Sequence, residues 1–161
     1  MTLRAILPRD RNFLGKLIGS DNGLKIFECA VLGKADNARA AREGNPTRDP
    51  LKPFGDTPTG LWKCGKRGPV DPATTYGVHP VLTMLPVSGD ALLASTRSGI
   101  WLHGGSLGRN KATGFLRPTF GCLRVSDKDM GMLWGLAKKH GEPTIIEVME
   151  LPLTRHGGKY E

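Results

Sequence analysis

A chain of 161 residues can build one domain with a sizeable core and is too short for two unless one is minimal. A single domain over residues 1–161 is therefore expected, with its core at about 12–150 and a polar tail at 151–161. Glycine (22) and proline (12) exceed a fifth of the residues, which disfavours a helical bundle and favours a loop-rich, mainly β architecture. The formal net charge of +8 implies an anionic partner. The cations are scattered, with no run of five and no regularly interleaved aromatic residues, so no nucleic-acid interface is expected.

Along the chain, Met1–Asp10 offers only a short apolar patch broken by Arg4 and Pro8, well below the length of a secretory signal. No stretch reaches the length of a membrane span. Apolar runs at about Asn12–Ile18 and Leu24–Leu32 flank Gly19–Gly23 and predict a β-hairpin turning at Asn22-Gly23. From Gly33 to about Pro58 periodicity disappears, apart from one helical turn at Ala38–Arg42, and a loop of that length inside a compact domain is usually functional. Leu61–Gly65 and Val78–Leu85 read as strands, Ser88–Asp90 as a turn, and Gly99–Leu102 as a short buried strand ending at His103. Ser126 and Asp129 form a capping pair for a helix with apolar positions Met130, Leu133, Leu136 and Ala137, ending at His140 before Gly141 and Pro143. A last strand follows at Thr144–Met149.

Chemistry concentrates between Ile100 and Val125. His103 closes an apolar run and Cys122 follows nineteen positions later, directly after Gly121. A thiolate nucleophile needs a base, an accessible turn and amides aimed at the developing oxyanion. His103 at a strand end supplies the base, Gly104 a carbonyl to orient its ring, and the amides of Gly121 and Cys122 the oxyanion donors. Taken singly, Cys122 reads as a buried thiol and His103 as a core histidine. Their combination with the glycines and Arg124 favours a cysteine acyl-transfer enzyme.

These residues resemble the catalytic domain of the L,D-transpeptidases, bacterial enzymes that crosslink peptidoglycan stems. The resemblance rests on His103-Gly104 followed by Thr119-Phe120-Gly121-Cys122-Leu123-Arg124, on Thr57-Pro58-Thr59-Gly60-Leu61-Trp62 upstream, and on the order of hairpin, motifs, helix and last strand from about Gly15 to Met149. It narrows the fold to a β-sandwich or barrel-like mixed sheet with the helix packed alongside. It implies that Cys122 attacks the L-to-D peptide bond of a tetrapeptide stem and releases the terminal D-alanine, with His103 as base and Gly104 orienting it. Gly121 then contributes to the oxyanion hole, Arg124 organises the pocket or meets a substrate carboxylate, and Thr119 hydrogen-bonds near the site. No cofactor or metal is implied.

The chain departs from the family in carrying Phe120 where a histidine is frequent, which leaves His103 as the base. It shows no cell-wall-binding repeat and no signal peptide, whereas the implied substrate lies in the periplasm or cell wall. A leader removed beforehand, or a secreted antibacterial effector with an immunity protein as partner, accounts for both. Phe120, Trp101, Tyr76 and His79 are candidates to line the cleft, although loop packing is the commoner role for the last two. Arg109, Lys111 and Arg117 fall between base and nucleophile, where contacts to substrate carboxylates are as probable as solvation. Trp62, Trp101 and Trp134 are core candidates, with Trp101 nearest the site in sequence, and His140 suits the C-terminal dipole of its helix.

The motif does not encode the acceptor, so an L,D-carboxypeptidase or D-amino-acid exchange enzyme stays open, as does a non-catalytic basic module for glycan or nucleic acid. A metal hydrolase is disfavoured, because no two of His79, His103, His140 and His156 show helical i, i+4 spacing. Cys29, Cys64 and Cys122 show no C-x-x-C spacing, and free buried thiols are favoured over a Cys29–Cys64 disulfide.

Overall fold

A computed structural model describes residues 1–105, 107–110 and 114–151. The chain begins with a strand that its sequence did not announce, β1 (Thr2–Leu7). Leu3, Ala5 and Leu7 point inward and are buried, while Arg4 faces out and pairs with Glu147 at 3.3 Å. Period-two alternation lets a strand carry a charge on one face and core on the other, so the arginine that breaks the apolar patch does not break the strand. The core thus begins before residue 12.

The expected hairpin is present as β2 (Gly15–Asp21) and β3 (Leu24–Val31), with β2 starting three residues later than Asn12. Its turn residues Asn22 and Gly23 both have positive φ, 48° and 78°, as a tight two-residue hairpin requires. The sheet continues through β4 (Gly60–Arg67), β5 (Val81–Ser88), β6 (Trp101–His103), β9 (Leu123–Arg124) and β10 (Ile145–Glu150). Strand order is β3-β2-β1-β10-β4-β5-β6-β9, mostly antiparallel, with parallel pairs β1–β10 and β6–β9. Just beyond β3, Leu32 and Arg124 exchange two backbone hydrogen bonds of 2.9 Å. That bridge brings the two ends of the sheet together, and the fold is mainly β with a nearly closed, barrel-like sheet. A separate small ribbon is formed by β7 (Leu107–Asn110) and β8 (Gly114–Leu116).

Helices are short except the last: α1 (Asn37–Arg42), α2 (Ala73–Tyr76), α3 (Asp90–Leu93) and α4 (Asp127–His140). Ser126 Oγ accepts from the Asp129 N–H at 3.0 Å, the cap expected from sequence. Met130, Leu133, Trp134 and Ala137 repeat at helical spacing and are buried against the inner face of the sheet with Leu17, Trp62, Leu102 and Ile146. The Trp134 indole donates to the Pro80 carbonyl at 2.7 Å. At the other end of α4, His140 Nδ1 meets Asp21 at 2.8 Å. Cys29 and Cys64 are free thiols on β3 and β4, with three strands between them at about 4.8 Å per strand, beyond the reach of a disulfide. Among the described residues no helix is long and apolar enough to cross a membrane. The expected tail lies outside the described residues from 152 on.

Leu102 is fully buried between the sheet and α4. Its truncation to alanine is expected to cost about 2–5 kcal/mol in urea unfolding, whereas Leu24→Ala, at a position 72% exposed, changes stability by under about 0.5 kcal/mol.

Candidate active site

The parallel pairing of β6 with β9 sets His103 beside Arg124 and Leu102 beside Leu123. Side chains alternate across a strand, so Leu102 and Leu123 enter the core while Trp101, His103, Cys122 and Arg124 belong to the opposite face. There His103, Cys122, Arg124, Thr119, Phe120 and Tyr76 line one cavity of about 590 Å³, roofed by the loops around Phe54, Thr75 and Arg97. Nineteen residues of separation between histidine and cysteine are thereby closed by one strand pairing.

The turn that carries Cys122 is held from several sides. Gly121 adopts φ 125°, a conformation that favours glycine. Thr119 Oγ1 accepts from the Gly121 N–H at 3.0 Å and donates to the Cys122 carbonyl at 2.8 Å. The Gly121 amide expected to serve an oxyanion is thus already engaged, and the Cys122 N–H is the donor of this turn for which no acceptor occurs among the described residues. The long loop after β3 wraps the same turn. The Asp36 N–H donates to the Thr119 carbonyl at 2.8 Å, the Thr119 N–H donates to the Lys34 carbonyl at 3.1 Å, and Thr57 Oγ1 donates to the Gly121 carbonyl at 2.8 Å. Thr57, from the Thr-Pro-Thr-Gly segment, is fully buried and acts on the site through this bond.

His103 is 1% exposed. Its Nδ1 lies 2.6 Å from the Gly104 carbonyl, which can only accept, so Nδ1 carries the proton and Nε2 is left as the basic nitrogen. Asp127 at the start of α4 secures the loop behind it: Oδ1 accepts from the Gly105 N–H at 3.2 Å. A Cβ on Gly77 or Gly104 would fall within 1.9 Å or 2.1 Å of that oxygen, so both must be glycine for the carboxylate to sit there. Tyr76 packs edge-on to the His103 ring at 5.1 Å and against Trp101 at 5.7 Å, which fixes the imidazole plane from the side.

Cys122 Sγ receives the Trp101 N–H and contacts the Gly99 carbonyl, each at 3.3 Å. Burial pushes the thiol up to about 11, against the opposing pull of the Trp101 amide, Arg124 and Arg97. Burial likewise lowers His103 to about 4, with the Gly104 carbonyl opposing and Arg124 adding to the shift. Between these values the resting pair is neutral thiol and neutral imidazole.

Arg124 is buried and donates from Nη2 to the Thr75 carbonyl at 2.9 Å, so it braces the segment after α2 as well as lining the cavity. Phe120 is 58% exposed at the cavity rim, edge-on to Phe54 at 6.1 Å, with the Arg39 guanidinium over both rings. Trp101 is half-buried under the Arg67 guanidinium beside the cavity. His79 does not reach the cavity: a Cβ on Gly131 of α4 would lie 2.8 Å from its ring, which shows the imidazole packed on that helix. Arg117 lines the cavity, and Lys111 and the Arg109 side chain lie outside the described parts of the structure. Sequence reasoning missed Arg97, Thr57 as a site residue and Asp127. Among the described residues no three metal-binding side chains converge.

No family model and no curated protein matches the chain. Solved structures that share its fold include two that cover nearly all of this chain. One is Bd1075 of Bdellovibrio bacteriovorus, with 18% identity over 91% of this chain and 47% of that one, at a TM-score of 0.53. The other is the helical cell shape determining protein Pgp2 of Campylobacter jejuni, with 21% identity over 98% of this chain and 50% of that one, at a TM-score of 0.52. The chain spans about half the length of either.

With Cys122 near 11, alkylation of this thiol by iodoacetamide, read by peptide mapping, is expected to rise steadily with pH from 7 to 10 without a plateau. A plateau near neutral pH contradicts the buried neutral thiol. His103 titrates lower in the folded chain than its unfolded value of about 6.5. The unfolded state therefore binds more protons between about 6.5 and 4, and stability present above that window is lost as pH falls through it. Relative to His103→Gln, the native chain is expected to lose up to about 3 kcal/mol between pH 7 and pH 4 in urea unfolding.

Proposed function

We propose that this chain is a cysteine enzyme of peptidoglycan, acting as an L,D-transpeptidase on tetrapeptide stems. The observation that carries the reading is the convergence, in one cavity, of a cysteine on a glycine turn and a histidine whose Nδ1 is committed to a backbone carbonyl. The similarity of fold to Pgp2 supports it, since that protein is described as determining helical cell shape. The net positive charge suits an anionic wall, and this substrate implies action in the periplasm or at the cell wall.

In the proposed reaction the Cys122 thiol gives its proton to His103 Nε2 as sulfur attacks the carbonyl carbon of the L-to-D peptide bond. The pair is neutral at rest, so the thiolate forms as the base takes the proton, and the nearby guanidinium groups favour it as it forms. The tetrahedral oxyanion is received by the Cys122 N–H. His103 then returns the proton to the leaving D-alanine amine, and the C–N bond breaks to leave a thioester on Cys122. An acceptor amine loses a proton to His103 and attacks the thioester, re-forming a peptide bond and the free thiol. Water in place of the amine gives a tripeptide, and a free D-amino acid gives exchange.

Incubation with purified disaccharide-tetrapeptide, followed by mass spectrometry, tests the reading. Loss of D-alanine with dimer formation is expected. Tripeptide alone assigns carboxypeptidase activity, and a product seen only with added D-amino acid assigns exchange. His103→Ala is expected to lower the rate by at least about 10²-fold and Cys122→Ala to abolish it. No product, together with no carbapenem adduct on Cys122, overturns the proposal and leaves a basic binding module.

A further inference from the structure

We propose that Arg97 is a positioning residue for the Cys122 nucleophile: its guanidinium is locked to the loop facing the Gly121–Cys122 turn and holds a fixed positive charge against that turn. Arg97 lies in the segment after α3 and reaches three backbone carbonyls of the opposing loop. Nη1 donates to Pro50 at 2.5 Å and Asp56 at 2.9 Å, and Nη2 donates to Gly55 at 2.8 Å. Three acceptors leave the planar fork no freedom to swing.

The same group touches the nucleophile's turn. A Cβ built on Gly121 would lie 2.1 Å from Arg97 Nη2, so the guanidinium rests directly on Gly121, one residue from the thiol. Gly121 therefore has to be glycine for two reasons, its φ of 125° and the guanidinium that occupies the place of a side chain. The loop whose carbonyls anchor Arg97 also supplies Thr57, which bonds the Gly121 carbonyl from the other side. Arg97 and Thr57 together clamp the turn. Among the described residues the cavity is lined by Arg97, Arg117 and Arg124 and by no carboxylate, and the acids that act on Arg97, Asp56 and Asp49, lie outside that lining. The thiol of Cys122 is held up by burial, with Arg97 among the groups that oppose the shift. An immobile cation is suited to charge that develops during attack, because it needs no reorganisation at that moment.

The effect on the sulfur is independent of any substrate, and only the turnover arm of the test rests on the proposed function. Arg97→Met keeps the bulk and removes the charge, and Arg97→Lys keeps the charge and loses the fork. Iodoacetamide alkylation of Cys122, mapped by mass spectrometry between pH 7 and 10 with circular dichroism as the folding control, reads the charge directly. Arg97→Met is expected to react about tenfold more slowly than the native chain at each pH, and Arg97→Lys to lie within about threefold of it. In turnover on disaccharide-tetrapeptide, Arg97→Lys is expected to lose at least about tenfold in kcat with KM within about threefold, because aim is lost and binding is not. An Arg97→Met profile that coincides with the native one overturns the proposal, as does an Arg97→Lys profile as slow as that of Arg97→Met. Should Arg97→Met fail to fold, an Arg97→Lys chain that folds and alkylates more than about tenfold slower than native overturns it alone. Absence of turnover in the native chain counts against the proposed function and leaves the alkylation result to decide on Arg97.

Discussion

Everything at the site hangs on the two-residue strand β9. One edge of it bonds β6, which sets His103 beside Arg124, and the other bonds Leu32, which draws in the start of the long loop. Backbone hydrogen bonds of this kind are modest singly, but leaving them unmade in a buried setting is costly. The closure of the sheet and the assembly of the cavity are consequently one event. A change that opened the Leu32–Arg124 bridge would loosen the barrel and move the cysteine together.

Around that strand the chain arranges charge and burial in opposition. Desolvation keeps both the thiol and the imidazole neutral, while the buried Arg124 and the half-buried Arg97 pull the thiol the other way. A permanently ionised cysteine would be open to alkylation and oxidation at all times. A neutral one is quiet until a base takes its proton. Backbone carbonyls orient the guanidinium groups, Thr75 for Arg124 and Pro50, Gly55 and Asp56 for Arg97. Carbonyls orient a cation without cancelling its charge.

Some of this was legible in the residues alone. The Asn22-Gly23 hairpin and the Ser126-capped helix appear close to where local chemistry puts them, since turn and cap geometry depend on neighbours in sequence. His103 and Cys122 were recognisable as a pair from the glycines around them. Strand β1 was not legible, because Arg4 masked an alternation whose meaning depends on which face is buried. Arg97 carried no local signal at all. Its role comes from carbonyls more than forty positions away, and its contact with Gly121 comes from the loop geometry of both segments. His79, which sequence proximity placed near the cleft, packs on α4 because the chain turns away after α2.

By itself the sequence determined the β-rich composition, the punctuation of hairpin and helix, and the residue types able to carry acyl chemistry, all properties of short range. Tertiary structure alone decided the barrel-like closure and which side of β6 and β9 faces the cavity. It also decided that the Gly121 amide is spent on Thr119, and that a distant arginine rests on the Gly121–Cys122 turn. Those outcomes follow from long-range register and from burial. A linear pattern does not contain either, because each residue's neighbours across the sheet are chosen only when the strands pair.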